Sequence, residues 1–218
     1  MRETVIQEIN RRKIIAIMRG LDRQQALLAA NALYEGGISM VEITFNQKAP
    51  ESFSETANAI REVKEQMGKK MFVGAGTVTS PDLVKLAAEA GASYIISPDT
   101  DAAVIRKTRE LGLVSIPGAY TPTEAKQAHE IGADFVKLFP CVGDAPAYIK
   151  AVCGPLNHIR FLAVGGVRED NVAALLQAGA VGVGVGGNLV NKKWIEAGMF
   201  ETVTQTAKKY VAAIESVR

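Results

Sequence analysis

The sequence predicts a single (β/α)8 barrel, and three observations carry that reading. Short apolar runs recur at even intervals, amphipathic segments separate them, and the same glycine-marked phrase returns where a helix should hand over to the next run. The runs are IIAIM at 14–18, MVEIT at 40–44, MFVGA at 71–75, SYIIS at 93–97, LVSIP at 113–117, DFVKLF at 134–139, RFLAV at 160–164 and VGVGV at 181–185. Each has the length and the Ile and Val content of a buried strand. Their starts lie roughly 20–30 residues apart, which suits a strand, a helix and two loops.

The helices are expected from their faces and their ends. Residues 23–35 (RQQALLAANALYE) place Ala26, Leu27, Ala30 and Leu33 on one face, and residues 81–90 do the same with Leu83, Leu86, Ala87 and Ala90. Ser80-Pro81 puts an N-cap before a proline, and Thr121-Pro122 repeats the arrangement with Glu124 in the first turn. Glycines close the helices at Gly36-Gly37, Gly91, Gly112, Gly132 and Gly179, where a residue must take a positive φ. Helix, Ala-Gly-Ala or similar, strand recurs at 90–92, 131–133 and 178–180. Eight such units without a half-way break favour a closed barrel over an open doubly wound sheet. Residues 1–218 read as one domain, with no linker or low-complexity tract.

Composition narrows the function. Hydrophobic residues are 48% and charged residues 22%, as in a globular protein, and the net charge is +2, so nucleic acid is not expected as a partner. The two cysteines, Cys141 and Cys153, and two histidines, His129 and His158, make no convincing zinc site, so no metal is expected. The cysteines read as small reduced thiols. No apolar run approaches the roughly 20 residues of a membrane span. MRETVIQEINRRK lacks the apolar core of a signal peptide, and the cytoplasm is the expected location.

In a barrel the active site lies at the C-terminal ends of the strands, so the informative residues are polar ones late in each run. These are Arg19, Glu42 with Thr44, Thr77, Ser97 and Lys137. Lys137 stands out because it interrupts Phe135-Val136-Lys137-Leu138-Phe139-Pro140. A lysine there is paired, neutral or reactive. One reading is a structural ion pair with Glu42. The other is a desolvated amine that attacks a carbonyl, with Glu42 moving the protons. Arg19, at the barrel mouth, suits a bidentate grip on a carboxylate. Gly165-Gly166 and Gly186-Gly187-Asn188 follow the last two strands, where barrels commonly hold a phosphate on backbone N–H groups. Gly74-Ala75-Gly76-Thr77 reads as a turn that lets substrate approach the backbone, with Thr77 offering a hydroxyl.

With these segments in hand, the chain resembles the 2-keto-3-deoxy-6-phosphogluconate and 4-hydroxy-2-oxoglutarate aldolases along essentially its whole length. The resemblance rests on IIAIMRG (14–20), GGISMVEITF (36–45), GAGTV (74–78), ISP (96–98), IPG (116–118), FVKLFP (135–140), GGV (165–167) and GVGG (184–187). It implies a class I aldolase, without cofactor, usually a homotrimer, acting on a 2-keto acid that it cleaves to pyruvate and an aldehyde. Lys137 matches the imine-forming lysine, Glu42 the proton shuttle, Thr77 the pyruvyl contact and Pro98 the strand 4 proline. Gly165, Gly166, Gly186 and Gly187 match the phosphate turns.

Three positions depart from the usual pattern. Asn46 stands where many members have the carboxylate-binding arginine, and that role moves to Arg19. Val164 replaces a threonine, and Gly187 with Asn188 replaces a serine, which removes hydroxyl contacts to phosphate. The combination is similar to the branch acting on 2-keto-3-deoxy-6-phosphogalactonate. The competing readings are an acid–base isomerase on the same barrel and a non-catalytic sugar-phosphate-binding barrel.

Overall fold

The computed structural model describes residues 2–217. In chain order the elements are α1 (Arg2–Arg12), β1 (Ile14–Arg19), α2 (Arg23–Glu35), β2 (Met40–Thr44), α3 (Phe53–Met67), β3 (Phe72–Gly76), α4 (Pro81–Glu89), β4 (Tyr94–Ile96) and α5 (Ala102–Glu110). The chain continues through β5 (Val114–Ile116), β6 (Gly118–Ala119), α6 (Pro122–Ile131), β7 (Val136–Leu138), α7 (Ala145–Cys153) and β8 (Phe161–Val164). It ends with α8 (Val172–Gln177), β9 (Gly182–Val185), α9 (Lys192–Glu196) and α10 (Phe200–Glu215).

All pairings are parallel, and the sheet runs β5-β4-β3-β2-β1-β9-β8-β7-β6. Its two ends are consecutive in the chain. Only Pro117 separates β5 from β6, and a proline has no N–H to give a ladder. The Pro117 carbonyl still accepts from the Lys137 N–H at 2.8 Å, and the Gly118 N–H donates to the Asp99 carbonyl at 3.0 Å. The two segments are therefore halves of one fifth strand, the first paired with β4 and the second with β7. Nine segments make the eight staves of a closed barrel.

The helix ends follow from side chains. Ser80 Oγ accepts from the Leu83 N–H at 3.3 Å. Thr121 and Glu124 form a reciprocal box, with the Thr121 N–H donating to Glu124 at 2.7 Å. Asp22 and Gln25 make a second box at the start of α2. At the close of α2, Gly37 takes the left-handed φ of +90°. Gly36 is needed for a different reason, since a Cβ there would lie 2.4 Å from Ala207 Cβ on α10.

Strand alternation sorts the buried residues into two cores. Outward residues such as Ala16, Val41, Ile43, Val73, Ile95 and Val136 pack under the helices. Inward residues Ile15, Ile17, Met40, Tyr94, Val114, Phe135 and Leu162 fill the barrel. The barrel's lower end is closed by α1, which buries Val5, Ile6 and Ile9 against that inner cluster. Asp134, just before β7, is 6% exposed and binds across this end. It accepts from Arg2, from Arg109 at 2.9 Å and from the Ser115 N–H at 3.0 Å.

Asp134→Ala leaves that buried N–H and two guanidinium groups without their acceptor. Both arginines are about one-third exposed and can turn to water, so we expect a loss of about 1–3 kcal/mol in urea unfolding. A loss below about 0.5 kcal/mol, the level of an ordinary surface change, would mean that Asp134 does not tie down this end of the barrel.

Candidate active site

The alternation of the strands decides which polar side chains enter the barrel. Glu42 lies two residues beyond Met40 on β2, and Lys137 two residues beyond Phe135 on β7, so both point inward one layer above the apolar plug. Glu42 is 2% exposed and Lys137 6%. The two side chains form no salt bridge with each other, and neither makes a side-chain hydrogen bond among the described residues. Each nevertheless feels the other. Burial raises the Glu42 carboxyl above its ordinary 4.5, against the opposing pull of Lys137 and Arg19. Burial lowers the Lys137 ammonium below 10.5, Glu42 opposes the shift, and Arg19 adds to it. The simple ion pair expected as one reading of Lys137 is thus not the arrangement. The pair is separated, desolvated and coupled.

The glycines of β3 serve these side chains. A Cβ on Gly76 would fall 1.6 Å from Glu42 Oε1, and one on Gly74 would fall 2.0 Å from the Tyr94 ring. Tyr94 donates its hydroxyl to the Val41 carbonyl at 2.6 Å and so fixes the floor beneath Glu42. Its burial, followed by the Glu42 charge, holds the phenol well above 10. The Gly-Ala-Gly segment, expected to let substrate approach the backbone, thus makes room for Glu42 and Tyr94.

Above Lys137 a cavity of about 580 Å³ opens over the ends of β1, β7, β8 and β9. It brings together Arg19, Lys137, Gly165, Gly166, Gly186, Gly187 and Asn188. Phe139 forms part of the wall, its ring centroid 4.6 Å from Lys137 Nζ. Arg19 is exposed and makes no ion pair or hydrogen bond among the described residues. Gly165 and Gly166 take φ of +89° and +70°, and a Cβ on Gly166 would meet the Cys141 carbonyl at 2.4 Å. Asn188 donates its Nδ2 to the Val167 carbonyl at 2.8 Å, so it ties the turn after β9 to the turn after β8.

Three expected residues stand outside the cavity wall. Glu42 lies behind it, linked by charge to both Lys137 and Arg19. Thr77 follows β3 with φ +56°, a conformation that costs a β-branched residue about 1–3 kcal/mol. Gln47 braces it by donating to the Thr77 carbonyl at 2.7 Å. Pro98 is half-buried, and its carbonyl fills the space beside Gly118, the residue paired with Lys137. One charged wall residue was not expected. Lys192, the first residue of α9, has in sequence only the look of a solvated helix position. Its distance of a few residues beyond the Gly186-Gly187 turn was the available signal.

Residues 5–206 match the family model described as KDPG and KHG aldolase. The chain belongs to this aldolase family. The aldolase is 35% identical over 206 residues to the 2-dehydro-3-deoxy-6-phosphogalactonate aldolase of Escherichia coli (strain K12), covering 94% of each chain. It is also 35% identical over 207 residues to a probable 2-dehydro-3-deoxy-6-phosphogalactonate aldolase of Rhizobium meliloti (strain 1021), covering 94% of this chain and 93% of that one. A solved native KDPGal structure aligns with TM-score 0.84 at 34% identity, over 94% of this chain and 95% of that one. Membership makes the protein a carbon–carbon lyase and replaces the isomerase and binding-protein readings.

The aldolase keeps two ionisable side chains buried against its own stability. With Lys137 depressed, its cost is present in full below the folded value and vanishes as pH rises to 10.5. With Glu42 raised, its cost is present above the folded value and vanishes as pH falls to 4.5. The double variant Lys137→Met, Glu42→Gln should therefore unfold later than the parent at pH 7, by about 1–4 kcal/mol. Thermal or urea unfolding reads this directly, and a less stable double variant would show that the pair is a net support of the fold.

Proposed function

We propose that this aldolase reversibly cleaves a 2-keto-4-hydroxy acid to pyruvate and an aldehyde through an imine on Lys137. The observation that carries the proposal is the buried amine of Lys137, held below its ordinary pKa and opening onto a cavity with an unpaired arginine. The neutral amine attacks the C2 ketone, and the carbinolamine loses water to give a protonated imine. Glu42 accepts and returns the protons of these steps. The imine then takes the electrons of the C3–C4 bond as the 4-hydroxyl loses its proton to Glu42, directly or through one water. The aldehyde departs, the enamine takes a proton at C3, and water releases pyruvate from Lys137.

The remaining residues orient the substrate. Arg19 grips the carboxylate, with Thr77 and Pro98 on the pyruvyl side, and the turns at Gly165-Gly166 and Gly186-Gly187 receive the far end. Asn188 holds those turns together. Orientation of this kind supplies part of the roughly 7–11 kcal/mol available from positioning. The names of the relatives support a six-carbon 6-phospho substrate of the galactonate or gluconate type. The resemblance also supports a homotrimer in the cytoplasm.

Pyruvate with borohydride should leave a reduced pyruvyl adduct on Lys137, located by peptide mass mapping. Lys137→Ala should remain folded and lose turnover. An adduct elsewhere, or turnover near the parent's, would dismiss the imine assignment. Arg19→Ala should raise the pyruvate KM about 10-fold or more, the size of one charge-assisted contact. An unchanged KM would move the carboxylate site. Since the Lys137 pKa is depressed, the neutral amine grows in at lower pH than for an ordinary lysine. The rate of imine formation should therefore climb with pH with a midpoint below 10.5, and a midpoint at 10.5 or above would show an ordinary solvated lysine.

A further inference from the structure

We propose that Lys192 is the specificity-determining residue that makes this aldolase prefer a substrate with a phosphate at the end remote from its keto acid. The inference rests on the reading that Lys137 and Arg19 bind the keto-acid end. Three cations, Arg19, Lys137 and Lys192, line the cavity, and no carboxylate joins them there. The ketone occupies Lys137 and the substrate carboxylate occupies Arg19. A third cation has no work to do for a substrate with one anionic end, and its presence points to a second anion.

The cavity supplies that anion with few other side-chain donors. Val164, buried at the top of β8, carries no hydroxyl, and a Cβ on Gly187 would meet nothing within 4 Å, so the turn is open there. The Asn188 amide Nδ2 already gives one of its two hydrogens to the Val167 carbonyl. Lys192 reaches the same mouth, its Nζ beside Gly20 at 3.9 Å from where a Cβ would sit, an ordinary contact distance. Its partner within the protein is Glu196 at 3.6 Å, an exposed i,i+4 pair with side-chain exposures of 58% and 54%. Such a pair is weak and yields readily to a dianion. A lysine also suits a phosphate as a mobile point charge, where a hydroxyl would impose one geometry. The volume of about 580 Å³ leaves room well beyond pyruvate for the phosphorylated end.

The experiment is the condensation direction, pyruvate with D-glyceraldehyde 3-phosphate against pyruvate with D-glyceraldehyde, in the parent, Lys192→Met and Lys192→Arg. In Lys192→Met, kcat/KM for the phosphorylated aldehyde should fall about 10- to 100-fold, through KM, as for loss of one charge-assisted contact. The loss for glyceraldehyde should stay within about threefold, so the preference for phosphate collapses. Lys192→Arg, which keeps the charge, should restore most of it. The parent's preference should also shrink with added salt, because Lys192 is exposed. Equal losses for both aldehydes, or no loss, would overturn the role of Lys192 while leaving the aldolase reading intact. A parent enzyme that condenses neither aldehyde and exchanges no methyl protons of pyruvate would overturn the aldolase reading itself, and this inference with it.

Discussion

Glu42 and Lys137 are ionisable side chains in a barrel whose other inward positions are filled by Ile15, Ile17, Met40, Tyr94, Phe135 and Leu162. Keeping two charges there without a direct bond between them constrains much of what surrounds them. Gly76 has no side chain because the Glu42 carboxylate occupies that volume, and Gly74 has none because Tyr94 does. Tyr94 in turn is pinned to the Val41 carbonyl, one residue before Glu42 on the same strand. The layer beneath, closed by α1, excludes the water that would relax both pKa values toward normal. The lowered pKa of Lys137 is thus a property of the packing as much as of the lysine.

Much of this is legible in the amino-acid sequence. The apolar runs at 14–18 and 40–44 match β1 and β2 to within a residue, and the helix over 23–35 has the bounds its face suggests. Lys137 and Glu42 can be picked out because a charge inside an apolar run has few acceptable explanations. Three features are not legible, each for a physical reason. The meaning of Gly74 and Gly76 depends on side chains from β2 and β4, which are distant in sequence. Lys192 is chemically identical to any solvated lysine, and only the closing of the barrel brings β1 beside β9 and places it at the mouth. In α1, Val5, Ile6 and Ile9 carry the spacing of a buried helical face. What that face covers is set by strands from the whole length of the chain.

The cavity is electrically one-sided, and its depth is graded. At the bottom the Lys137 amine is buried, which lowers its pKa; at the rim Arg19 and Lys192 are exposed to solvent. The turns after β8 and β9 are tied to each other by Asn188, and a further bond from Asn171 to the Gly166 carbonyl, 3.0 Å, secures the first of them. This side of the cavity mouth is therefore a single braced unit rather than two independent loops.

The plug made by α1 has a consequence for the chain as it leaves the ribosome. This helix is made before the strands it covers, yet its docking surface includes β5 and β9, and its Arg2 reaches Asp134 across 132 positions of sequence. During synthesis it has nothing to lie against, and its apolar face must wait, exposed, while most of the polypeptide emerges. A helix made ahead of the barrel is thus among the last elements that can dock, and its arrival seals the base.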